Sequence, residues 1–257
     1  MTGFITAIRT LTIIPVSGRE SEKLSSSLAW FPVVGLLLGL LLFGFGTLWN
    51  LLVEDWPGGG AILVLLADIY LTRGLHLDGL ADWADATGGP RNREARLAIM
   101  KDSHLGTFGV IALILVLLSK WVALERVLHT DSLLGVLPAM VVSRSMMVEL
   151  IALLPYARPD SGMAKPFVEG IMPRQRVWSH VIALGVCLCF GPMGTALFFI
   201  GWTGARLLAT IFQRMFNGIT GDLLGATNEI VETLLLMIWA LPGPFLLCYT
   251  GWKWIIP

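Results

Sequence analysis

Arg73-Gly-Leu-His-Leu-Asp78-Gly-Leu-Ala-Asp82-Trp-Ala-Asp85-Ala-Thr-Gly-Gly89 is a charged patch set between apolar segments. If Asp78 to Asp85 is helical, the three carboxylates stand at i, i+4 and i+7, within an arc of about 60° on one face. Three like charges there repel one another unless a cation sits among the oxygens. Hard oxygen donors with small neighbours that admit a phosphate suit Mg²⁺ or Mn²⁺, so the pattern points to a divalent-metal site for phosphoryl transfer. In a soluble chain it would read as a solvated acidic face. The metal reading is preferred because residues 61–75, an apolar run, lead directly into it.

Working outward, the 257 residues are 55% hydrophobic and 14% charged, with a mean hydropathy of +0.75. That is too apolar for a water-facing surface and implies a polytopic membrane protein whose first partner is the lipid bilayer. A net charge of zero excludes the basic excess of a nucleic-acid binder. Cys187, Cys189 and Cys248 all lie in apolar runs and read as core residues, not as a disulfide framework or zinc site.

The apolar runs set the fold class, all-α. Residues 1–16 carry Phe4, Ile5, Ile8, Leu11 and Ile14 but break at Pro15, which fits an interfacial helix better than a signal peptide. Candidate spans are 28–52, 61–75, 107–124, 133–154, 177–190, 193–210 and 233–252, with polar stretches at 90–104, 156–176 and 213–232. A span needs about 20 residues, so the expectation is an integral helical bundle of six or seven transmembrane helices, forming a single catalytic domain over residues 1–257. Arg9, Arg19, Lys23, Arg91, Arg93, Arg96, Lys101, Arg158, Lys165, Arg174, Arg176 and Arg214 then share one side, against Lys120, Arg126 and Lys253 on the other. The positive-inside rule makes the first side, with the acidic stretch, cytoplasmic. Asp68, Arg144 and Arg206 lie mid-span and are expected to face the interior. Arg144 would there bind a diphosphate oxygen or pair with Asp68 or Glu149.

Two further stretches carry chemistry. Ile99-Met-Lys101-Asp102-Ser103-His104-Leu-Gly-Thr-Phe-Gly109 places a base, an acid, a hydroxyl and an imidazole before a helix start, which suits a phosphate or, more blandly, a helix cap. In Asn217-Gly-Ile-Thr-Gly-Asp222-Leu-Leu-Gly225-Ala-Thr-Asn-Glu229-Ile-Val-Glu232, a helix puts Asp222, Gly225 and Glu229 on one face. That face serves a ligand or simply another helix.

Taken together, the three stretches resemble the signature segments of the adenosylcobinamide-GDP ribazoletransferases, also called cobalamin synthases, and the likeness extends over nearly the whole chain. The resemblance implies an inner-membrane, Mg²⁺-dependent enzyme with its active site facing the cytoplasm. It would join adenosylcobinamide-GDP to α-ribazole or α-ribazole 5′-phosphate, release GMP and give adenosylcobalamin or its 5′-phosphate. The expected metal ligands are Asp78, Asp82, Asp85, Asp102, Asp222 and Glu229, with Asp82 and Asp85 catalytic and Asp85 preferred as the base toward the ribazole 5′-hydroxyl. Arg73, His76, Arg96, Lys101, Ser103 and Arg144 are expected to contact substrate. A homo-oligomer is compatible with the sequence. The acidic motif is also similar to that of CDP-alcohol phosphotransferases, but it has Asp82 where they place an arginine, which weakens a lipid product. The other alternative, a transporter, would place ion-coupling acids near the midplane in inverted repeats.

Overall fold

The computed structural model describes residues 2–89, 92–158 and 162–242. Eleven α-helices lie among them: α1 Thr2–Leu11, α2 Phe31–Leu52, α3 Pro57–Thr72, α4 Leu75–Gly88, α5 Arg93–Ile99, α6 Thr107–His129, α7 Val136–Leu153, α8 Lys165–Gly170, α9 Pro173–Cys189, α10 Gly191–Phe216 and α11 Gly221–Ala240. The all-α expectation holds, and the bundle is polytopic. Five segments are long and apolar enough to cross a membrane: Leu24–Leu52, Thr107–His129, Leu133–Leu153, Gly191–Phe216 and Gly221–Ala240. A sixth is reached only if α3 and α4, bent by 88° at their junction, count as one broken span. Among the described residues the spans thus number five or six. The segment expected at 177–190 is α9, whose 17 residues include Arg174, Gln175, Arg176 and His180, a polar start that dilutes its hydropathy.

A second correction concerns residues 213–232, expected as a polar stretch between two spans. The turn there is only 217–220; α10 runs to Phe216 and α11 starts at Gly221. Its acids mislead because they lie on a helix that is largely buried inside the bundle. The span expected at 233–252 thus begins at Gly221, and its far half, with Cys248, Trp252 and Lys253, lies outside the described residues, as does Arg91.

The bundle is inverted relative to a soluble core. α2 turns Leu37, Leu40, Leu41, Phe45, Leu48, Leu51 and Leu52 outward, as a lipid-facing surface requires. α7 is the central post, with every residue from Val136 to Ile151 buried. α2 can approach it closely because Gly35 and Gly39 present bare Cα atoms; a Cβ on Gly35 would stand 2.5 Å from the Met140 carbonyl oxygen. Helix contacts in membranes rest on such small residues, since lipid supplies no hydrophobic drive between helices.

Hydrogen bonds between distant segments define two ends. At one, Ile13 N donates to Leu71 O and Ala157 N to Ile219 O, while the Arg93 guanidinium donates to Phe216 O and Ala157 O. At the other, Asn50 donates to Leu128 O, Arg126 to Ala240 O and Trp239 to Ser132 O. All three motif stretches start at the first end. The N-terminal helix α1 also belongs there, buried through Ala7 and Leu11 and held by Arg9, which pairs with Glu20 at 2.9 Å. Its buried face, Gly3, Thr6, Ala7, Ile8 and Leu11, packs on protein.

The charges expected to face the interior divide. Asp68 is 7% exposed and Arg144 fully buried, but the Arg206 side chain is 46% exposed. Lys120, counted with the bases of the opposite side, is instead buried in mid-bundle at 2% exposure. It pairs with Glu229 at 2.7 Å and Asp68 at 3.4 Å and also with Glu232. Arg144 pairs with Glu232, not with Asp68 or Glu149. Three acids and two bases thus tie α3, α6, α7 and α11 together.

Candidate active site

α3 ends because Arg73 and Gly74 both take left-handed backbone angles, φ 57° and 63°. Gly74 meets that demand without strain, and the chain turns sharply into α4. α4 then crosses α11 through glycine. A Cβ on Gly79 would lie 2.5 Å from Asp222 O, and one on Gly225 would lie 3.1 Å from His76 Cα. The close crossing sets the acids of two distant motifs beside each other. Asp82, half-buried, feels the charges of Asp222, Asp78 and Asp85 and of the Arg158 guanidinium.

Asp222 is held in place. Arg158 donates to its Oδ2 at 2.9 Å and also to Met100 O at 3.2 Å. Thr220 caps α11 by accepting from Leu223 N at 3.3 Å, and its hydroxyl donates to the same Asp222 oxygen at 3.3 Å. Arg158 thereby joins the α5–α6 loop to α11. Sequence reasoning counted it only for loop charge, because the contact depends on the pairing of 155–157 with Ile219, which no local spacing reveals. Arg9 was missed for the same reason. With Arg73, His76, Asp78, Asp222 and Gly225 it lines a cavity of about 680 Å³ whose inner wall includes Phe31, Met147 and Phe167.

Asp85 has a different place from the one expected. Its Oδ2 accepts from Gly106 N at 2.7 Å and its Oδ1 from Gly109 N at 2.8 Å. It caps α6 from outside that helix, which has no side-chain cap of its own. Each oxygen is thus engaged by an amide at the start of α6, where the helix dipole also favours a carboxylate. Asp85→Ala is expected to lower stability by about 1–2 kcal/mol, measured as a shift in thermal unfolding of the detergent-solubilised chain.

Of the expected residues, Arg73, His76, Asp78 and Asp222 meet at one cavity, with Asp82 beside them. Glu229 and Arg144 do not, since each is engaged in the buried ion cluster. Lys101, Asp102, Ser103 and His104 stand exposed on the loop before α6. There the His104 ring and backbone hold the Asp102 carboxyl below its ordinary range, and Asp102 in turn raises the His104 imidazole. Arg96 is half-buried on α5. Among the described residues no three acidic, imidazole or thiol groups close around a single ion. The donors present still fit Mg²⁺, which keeps several waters and takes one or two carboxylates together with substrate phosphate.

The family model described as cobalamin-5-phosphate synthase matches residues 3–240. Similar proteins named adenosylcobinamide-GDP ribazoletransferase occur in several bacteria. That of Chlorobium phaeobacteroides (strain BS1) is 43% identical over 239 residues, covering 91% of this chain and 95% of the relative. That of Chlorobaculum parvum (strain DSM 263 / NCIMB 8327) is 42% identical, covering 94% and 96%. That of Syntrophobacter fumaroxidans (strain DSM 10017 / MPOB) is 38% identical, covering 91% and 96%. No solved structure matches the chain. With a match over nearly its full length, the chain belongs to the cobalamin-5-phosphate synthase family.

Proposed function

We propose that this chain is a Mg²⁺-dependent adenosylcobinamide-GDP ribazoletransferase of the inner membrane, with its site open to the cytoplasm. The observation that carries this reading is the crossing of α4 and α11, which brings Asp78 and Asp222 to a cavity with Arg9 and Arg73 on its wall and sets Asp82 beside them. The basic residues concentrated at that end support the orientation.

In the reaction a ribose hydroxyl of α-ribazole attacks the phosphorus that bears cobinamide. A new P–O bond forms, the bond to the bridging oxygen breaks, and GMP leaves with that oxygen. The family name places a phosphate at the product's 5 position, so the 5′-oxygen of the phosphorylated nucleoside is already occupied. The nucleophile is therefore a ring hydroxyl other than the 5′-hydroxyl. Asp78 and Asp222 would hold Mg²⁺, which when bound would supply the charge that neutralises the diphosphate. Asp82 takes the hydroxyl proton, since Asp85 is spent on α6, and Arg158 with Arg73 draws the phosphoryl oxygens toward the acids.

Purified chain incubated with adenosylcobinamide-GDP, α-ribazole and Mg²⁺ is expected to release GMP. EDTA should abolish that release, and Mg²⁺ in excess of the chelator should restore it. Release that persists in EDTA would remove the metal from the account. A transporter reading would draw on Asp68, Glu229 and Glu232, the acids deep in the bundle. Those acids already face Lys120 and Arg144, so a coupling ion would compete with two resident cations.

A further inference from the structure

Away from the proposed site, Glu149 of α7 is fully buried and surrounded by bases. Arg176 donates to its two oxygens at 2.6 and 2.8 Å. His180 Nε2 stands 3.1 Å from it, the Trp202 indole donates at 3.2 Å, and Arg206 lies at 3.5 Å. Among the described residues two guanidinium groups therefore share one carboxylate, which leaves one positive charge unanswered beside the span α10. Such a charge is costly there unless an anion meets it. Arg206 is also half-exposed and lies over the Trp202 ring at 5.5 Å, a position open to lipid.

Beside this cluster runs a groove of about 530 Å³ lined by Arg176 and His180 and by the apolar Val177, Val181, Leu184 and Phe198. Its polar residues lie in the first two turns of α9, and the apolar ones continue along that helix. Val177 and Val181 are each more than half exposed. A cationic mouth above an apolar trough, between membrane helices, matches one kind of molecule.

We propose that the groove seats an anionic phospholipid, its phosphodiester against Arg176, His180 and Arg206 and an acyl chain along Val177, Val181 and Leu184. The commitment to an anionic lipid follows from charge: a zwitterionic headgroup brings no net negative charge to the surplus guanidinium. The inference does not depend on the reaction proposed above.

The test is native mass spectrometry of the full chain, delipidated in detergent and titrated with phosphatidylglycerol or phosphatidylcholine. Phosphatidylglycerol is expected to bind about fivefold more tightly, the value of one basic residue at a membrane surface. Arg206→Gln, which leaves the Arg176–Glu149 pair intact, should remove that preference. Val181→Trp, on a lipid-exposed position, should lower retention of both lipids by filling the trough. Equal binding of the two lipids by the unmodified chain would overturn the proposal, as would a preference unchanged in Arg206→Gln. Retention unchanged in Val181→Trp would place the lipid elsewhere and overturn it too. Displacement of the lipid by millimolar inorganic phosphate would show an anion pocket without a lipid trough, also against it.

Discussion

Lys120→Met is expected to destabilise the bundle by about 3–5 kcal/mol, the cost of leaving a buried charge without its partner. Lys120 is the cation that faces Asp68, Glu229 and Glu232 together, so its loss leaves three buried acids with Arg144 alone. Methionine keeps the length and apolar stem of the side chain, so the effect reads the charge and not a cavity. Unfolding in mixed detergent micelles measures it. Combining the change with Glu229→Gln, which removes one of the stranded acids, should recover part of the loss. A Lys120→Met chain as stable as the unmodified one would show that the cluster does not hold α6 against α11.

Asp82→Asn is expected to lower GMP release by at least about 100-fold, the lower range for removing a general base, with thermal unfolding unchanged. Stability should be spared because Asp82 is half-buried and has no partner it must satisfy, whereas Asp85 is fixed to two amides. The contrast between neighbouring acids of one helix is what separates a chemical role from a structural one. Asp85→Asn, which keeps one acceptor oxygen, should lose stability first and activity only as the α6 terminus loosens. Turnover retained in Asp82→Asn would return the search for the base to Asp78 and Asp222.

Much of this was legible in the sequence because helical spacing is a local property. The i, i+4, i+7 set on α4 and the shared face of Asp222 and Gly225 follow from 3.6 residues per turn, and the fold class follows from composition. What local pattern cannot carry is which charge finds which. Lys120 reads as a base of the opposite side by its position near a span end, yet it turns inward to acids on α3 and α11. Glu229 reads as a metal ligand because it shares a face with Asp222, but two turns farther along α11 it has already left the cavity for the bundle interior. Asp85 reads as a ligand until the amides of Gly106 and Gly109 arrive from another helix. Arg158 reads as ordinary loop charge until the short pairing of Tyr156 and Ile219 places it on Asp222.

The central claim is that acids of α4 and α11 grip one divalent cation at the cavity. Fe²⁺ bound in place of Mg²⁺ generates hydroxyl radicals with ascorbate and peroxide, and these cut the backbone close to the ion. Cuts are expected near Asp78 and near Asp222 in the same chain, both suppressed by excess Mg²⁺ and both lost in Asp222→Asn. Cuts confined to one of the two helices, or cuts at the exposed Asp102 loop that Mg²⁺ suppresses while α4 stays intact, would contradict it.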